Sequence, residues 1–238
     1  MWSSEIYYLE NFITMTTYTL TRSNRKTISI QIREGAVTVR VPYLCPKSEI
    51  DRFVHAKSGW IQDKLSKSKE QLAQRESFAL NYGDEIVLRG IFYPITARQG
   101  SRAGFDGECF YMPLNLSNDQ IKATCIKIYR NLAKSYLHER AAYFSAQMNL
   151  APASIKINSA KTRWGSCSSQ KNINFSWRLI MADESVIDYV VIHELAHLIH
   201  MNHSSKFWKT VENILPDYRE RNKRLNELQK RLVRQDWG

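Results

Sequence analysis

One pentapeptide limits what this chain can become more than any other feature. His193-Glu194-Leu195-Ala196-His197 sits inside the apolar run SVIDYVVIHELAHLIH. On an α-helix, residues four apart lie one above the other on one face. His193 and His197 can therefore share one tetrahedral metal ion, zinc being the natural guest of two imidazoles. Glu194, beside the first histidine, can reach a water at that ion as general base. Tyr189, Val190, Ile192, Leu195, Ala196, Leu198 and Ile199 surround the polar triplet. Apolarity on nearly all sides predicts a buried helix, in which titrating side chains must be paired or metal-bound. Given this chain's own His and Glu content, such a spacing arises by chance in roughly 1% of sequences this long. The competing reading is a core helix with two hydrogen-bonded histidines and a salt-bridged Glu194.

A third ligand has two histidine candidates. His200 falls on the same face of a straight helix, but it would stand about 10 Å from His193 along the axis, at 1.5 Å per residue. His203 reaches back only if the helix ends first. Asn202 is a suitable terminator because Asn tolerates the left-handed conformation, and Ser204 can then cap the next helix. His203 is the favoured ligand, with His200 and Glu212 as alternatives.

The segments before this helix read as a small sheet. SIKIN and TRWGSC are strand-like, and INFSW is the hairpin partner of the second across the polar turn SSQKN. Further upstream, Ser117 to Asn149 reads as one long amphipathic helix, ended before Pro152. TISIQIREGAVTVRVP reads as two strands about a Glu34-Gly35 turn. From Pro46, an apolar stripe through Ile50, Phe53, Val54, Trp60, Ile61 and Leu65 predicts a helix, and the polar run SKSKEQLAQRES follows it. Strand-like segments cluster from about 85 to 113. The expected organisation is an N-terminal extension (1–15), a β-rich domain with one helix (16–113) and a mostly helical domain with a small hairpin or sheet (114–238). The fold class is α+β.

Composition narrows the context. Cys45, Cys109, Cys125 and Cys167 form no CxxC pair, which argues against both a disulfide framework and a thiolate zinc site. Reduced thiols point to the cytoplasm. No apolar run approaches the roughly 18 residues of a membrane span, and the N-terminus lacks signal-peptide architecture. The 34 basic against 23 acidic residues leave a net charge of +11. Much of the excess lies in YRERNKRLNELQKRLVRQ, a surface that suits a polyanion such as nucleic acid or, more plainly, a solvated helix face.

The stretch TRWGSCSSQKNINFSWRLIMADESVIDYVVIHELAHLIHMNHSSKFW resembles the YgjP-like metallopeptidase family, related to the WLM and SprT-like proteins. The shared marks are Trp164-Gly165-Ser166-Cys167, the helix of His193 to His197, Asn202-His203-Ser204 and Phe207-Trp208. The resemblance implies a zincin-like catalytic domain with His193, His197 and His203 as zinc ligands and Glu194 as base. It implies a peptide or protein substrate, for which TRWGSC is a candidate binding strand. Arg163, Trp164, His200 and Tyr218 are candidates for substrate or oxyanion contact. Phe207 and Trp208 read as core. Two other readings share the metal: hydrolysis of a non-peptide anionic substrate such as a nucleotide, and a DNA-associated zinc module without catalysis.

Overall fold

The computed structural model describes residues 5–9 and 16–238. Contacts divide the chain into two units, Met1–Phe78 with Val233–Asp236, and Ala79–Leu232 with Trp237–Gly238. Both mix helices and strands, as the α+β expectation requires.

The first unit is a four-stranded sheet with two helices. Its strands are β1 (Glu5–Leu9), β2 (Thr16–Ser23), β3 (Ser29–Arg33) and β4 (Ala36–Pro42), in the order β1-β2-β4-β3. Within the expected N-terminal extension, residues 5–9 pair antiparallel with β2, and 1–4 and 10–15 lie outside the described residues. The β3–β4 turn falls at Glu34-Gly35, both at positive φ (49° and 75°), a region glycine enters without a Cβ penalty. Tyr18, Leu20, Val37, Val39 and Val41 form a core with Ile50, Val54 and Ile61. The single helix expected here is two, α1 (Lys47–Ala56) and α2 (Ser58–Glu76), broken where Lys57 leaves helical geometry at φ −106°, ψ 7°. The polar run stays helical to Glu76, with side-chain pairs one turn apart such as Lys67–Asp63 at 2.9 Å.

The second unit opens with β5 (Glu85–Leu88), β6 (Ile91–Arg98), β7 (Gly104–Phe105) and β8 (Phe110–Pro113), ordered β5-β6-β8-β7. These strands, expected in the domain over 16–113, fall in one unit with the helix of His193 and His197. Helix α3 (Asn118–Gln147) starts at a capping box: Ser117 Oγ accepts from the Gln120 amide, and the Gln120 side chain accepts from the Ser117 amide at 2.8 Å. It buries Ile121, Cys125, Tyr129, Ala133, Leu137 and Ala141 along one stripe. Each large apolar side chain so buried stabilises by about 1.5–3 kcal/mol.

A three-stranded sheet follows, β9 (Ser154–Asn158), β10 (Gly165–Cys167) and β11 (Asn172–Ser176), ordered β10-β11-β9. The β10–β11 hairpin is antiparallel, as the sequence predicts, and leaves β10 at the sheet edge. After a 3-10 turn at Trp177–Met181 comes α4 (Glu184–Ala196), capped by Asp183, whose carboxylate accepts from the Val186 amide at 3.2 Å. Helices α5 (Ser205–Ile214), capped by Ser204, and α6 (Tyr218–Leu232) complete the unit. No described helix is long and apolar enough to cross a membrane.

Helix α4 ends sooner than the apolar pattern implies. Its last residue is Ala196, and the chain then tightens: the amides of Leu198 and Ile199 bond to the carbonyls of Leu195 and Ala196 at 2.9 and 3.1 Å. Asn202 is therefore not the terminator. The early exit frees the 198–204 segment to turn back over the helix.

Candidate active site

Buried on nearly all sides, α4 carries His193 and Glu194 in its last turn and His197 at its C-cap. The returning segment brings His203 alongside. Ligand-capable atoms of His193, His197 and His203 all lie within 4.8 Å of one another. The Nε2 atoms of His193 and His203 face each other at 3.0 Å.

His197 is oriented through its other nitrogen. Its Nδ1–H donates to the backbone carbonyl of His200 at 3.0 Å, which leaves Nε2 as the free donor atom. His200 thus serves the cluster through its main chain, and its ring does not join the ligand group. Glu212, the other alternative ligand, pairs instead with Lys209 at 3.3 Å.

The donor set fits a divalent metal. Burial first, then its two histidine neighbours, pushes His193 down to about 3, so the ring is neutral and a lone pair faces the cluster. Its Nδ1 is buried with no hydrogen-bond partner. Three converging imidazoles, short of the four protein ligands of a closed structural site, match a catalytic metal site more closely.

Glu194 is 6% exposed, and burial raises its carboxyl to about 8, while the charge of Arg163 acts in the opposite sense. Positive charge placed among the imidazoles would favour the carboxylate form. Strand β10 lies directly against this side chain. A Cβ at Gly165 would stand 2.5 Å from both Cγ and Oε1 of Glu194, so no other residue fits without displacing the carboxylate. Cys167, two positions on and therefore on the same face of the strand, has its thiol raised by burial and by the Glu194 charge.

The hydrogen bonds of the hairpin show which groups of β10 remain open. The Trp164 carbonyl accepts from the Ser176 amide at 2.8 Å, and the Ser168 amide donates to Asn172 at 3.0 Å. Alternation then turns the N–H and C=O groups of Gly165 and Cys167 toward the free edge, away from β11.

Two residues read as plain core belong to the site. Phe207, fully buried, places its ring 4.9, 4.5 and 4.8 Å from the rings of His193, His197 and His203. It floors the cluster. Trp208 stacks on His203 at 5.6 Å and meets His193 edge-on at 5.7 Å. The sequence marked them only as apolar, and no spacing rule said they would face histidines. For Gly165 a signal existed: an isolated glycine in a strand pattern marks close backbone approach.

The other candidates divide. Arg163 is exposed at the start of β10, within electrostatic reach of Glu194. Trp164 is half-buried. Tyr218 is buried with its ring stacked on Trp208 at 5.2 Å, and its hydroxyl takes a bond from Arg219 Nε at 3.1 Å. Asp188, also on α4, forms a bidentate pair with Arg140 at 2.7 and 2.9 Å.

A histidine triad able to hold a metal ion, beside a buried glutamate, has the chemistry that a metal-dependent hydrolase needs. The family model described as YgjP-like, metallopeptidase domain matches residues 26–228, and the chain belongs to this family. Two solved structures are similar over part of the chain. The metallopeptidase zymogen of Pyrococcus abyssi abylysin is 22% identical over 42% of this chain and 97% of its own, with a TM-score of 0.36. That of Methanocaldococcus jannaschii jannalysin is 20% identical over 41% of this chain and 93% of its own, with a TM-score of 0.33. No match was found among curated proteins.

Proposed function

We propose that this chain is a zinc-dependent peptidase whose zinc is held by the Nε2 atoms of His193, His197 and His203, with Glu194 as general base. The observation that carries this reading is the convergence of three imidazoles within 4.8 Å, with the carboxylate of Glu194 pressed under the open edge of β10.

Zinc at that position supplies Lewis acidity, making water nucleophilic near neutral pH and polarising a carbonyl. The chain's own groups do the rest. An extended peptide adds to the free edge of β10 through the N–H and C=O groups of Gly165 and Cys167, which aligns its backbone over Glu194. Glu194 takes the proton of the attacking water on a carboxylate oxygen. It then gives that proton to the nitrogen of the leaving amine as the C–N bond breaks. Phe207 keeps bulk water from the floor of the site. Arg163, exposed beside Glu194, is placed to bind a substrate carbonyl or carboxylate.

The open strand edge favours a peptide over a nucleotide or DNA as the substrate. The four cysteines are free, which suits a reducing, cytoplasmic setting. Zinc-loaded protein assayed against unfolded polypeptides and nucleotides tests the reading. Cleavage of peptide bonds supports it, and hydrolysis of nucleotides alone would replace it with the anionic-substrate reading.

A further inference from the structure

His203 differs from the other two histidines of the triad in what holds it. His193 is fixed by the turns of α4, and His197 by the C-cap and the His200 carbonyl. His203 lies outside any helix, in an exposed segment one residue before the Ser204 cap. Among the described residues its only hydrogen-bond contact is Nε2 of His193, the nitrogen that itself faces the metal position. Metal-ligating histidines usually donate their other N–H to a carbonyl or carboxylate, which fixes the ring. Neither His193 nor His203 has such a partner among the described residues, but His193 is carried by α4 while His203 is on a loop.

A stacked ring covers one face of the imidazole instead. The indole of Trp208 lies 5.6 Å from the His203 ring at an interplanar angle of 24°. The same indole stacks on Tyr218 at 5.2 Å and 17°. Tyr218 is buried at the start of α6, and Arg219 tethers its hydroxyl at 3.1 Å and lies over its ring at 5.5 Å. Trp208 belongs to the first turns of α5, whose N-terminus is pinned by Ser204, the residue after His203. A flat ring against an imidazole limits its tilt, and aromatic pairs contribute beyond the area they bury. The rest of the stack limits the tilt of the indole in turn.

We propose that Trp208, backed by Tyr218, is a positioning residue for the third metal ligand: it sets the plane of His203 so that Nε2 faces the other two imidazoles. The inference rests on the zinc reading given above and adds to it how a ligand on a loop is held without an outer hydrogen bond. Tyr218, considered from sequence for oxyanion contact, is thereby given a supporting part through Trp208.

The test is zinc affinity by competition with a chelating dye, together with the visible spectrum of the cobalt(II)-loaded protein. Wild type, W208F, W208L, H203A and the double variant H203A/W208L are compared. W208L is expected to bind zinc about tenfold or more weakly, as loss of an outer-sphere partner does, with a shifted cobalt spectrum. W208F, which keeps a ring to stack, should recover most of the affinity. In the H203A background, W208L should cost no further affinity, because Trp208 acts through His203. If W208L does not fold, Y218L and W208F carry the same comparison, with Y218L expected to weaken zinc binding in the presence of His203 only. Wild-type affinity and spectrum in W208L or Y218L, or an equal further loss on the H203A background, would overturn the inference. Failure of the wild-type protein to bind zinc at all would instead overturn the reading beneath it, and the inference with it.

Discussion

Gly165 and Glu194 are in contact across the site, and the contact leaves no room for a side chain on the strand: a Cβ at 165 would lie 2.5 Å from Glu194 Oε1. Strand β10 and the Glu194 carboxylate are therefore held in one fixed register. Replacing Gly165 by Ala pushes that carboxylate aside without touching a histidine. G165A should keep its zinc and lose activity by on the order of a hundredfold, the penalty for displacing a reacting group by about 1 Å. Activity assays paired with zinc content check this.

His200 and His203 separate cleanly by substitution. His200 contributes a backbone carbonyl to His197 Nδ1, whereas His203 brings its ring to the triad. H200A should bind zinc and turn over much as wild type does. H203A should lose most of its metal. Zinc stoichiometry after dialysis decides between the two.

Phe207 is fully buried against all three imidazoles. F207A opens a cavity under the cluster and should cost about 3–5 kcal/mol of stability, measured by denaturant unfolding. F207L keeps most of the volume and should cost appreciably less.

Glu194 gives the zinc-free protein a pH signature. Burial raises its carboxyl to about 8, above the value of about 4.3 expected for an unfolded chain. A raised pKa means the folded state holds the proton more tightly. The associated stability is full below about pH 4, declines as pH rises, and is gone above pH 8. Zinc-free wild type should therefore unfold more easily at pH 8 than at pH 7. E194Q, with a permanently neutral side chain, should lack that slope. Thermal melts of both proteins over this interval check it.

Much of this molecule is legible in the sequence because local rules decide it. Ser117 opens α3 where the amphipathic pattern begins, and the spacing of His193 and His197 puts both in a buried helix end where their rings can meet. The β10–β11 hairpin follows from strand patterning about a polar turn. What sequence hides is decided by tertiary contact. The apolar run continues to Ile199, yet α4 stops at Ala196, where the chain tightens and the His197 ring takes the His200 carbonyl. The break at Lys57 and the division of the chain after Phe78 leave no compositional mark. Phe207 and Trp208 announce burial but not against what. Gly165 announces a close approach but not that Glu194 makes it.

In the proposed mechanism Glu194 moves the proton at a metal held by His193, His197 and His203. Measuring zinc content and peptide-bond cleavage on the same preparations of wild type and E194Q tests it most directly. Equal zinc in both proteins and cleavage by wild type alone are expected. Cleavage by E194Q at the wild-type rate, or wild-type cleavage with no bound metal, would contradict it.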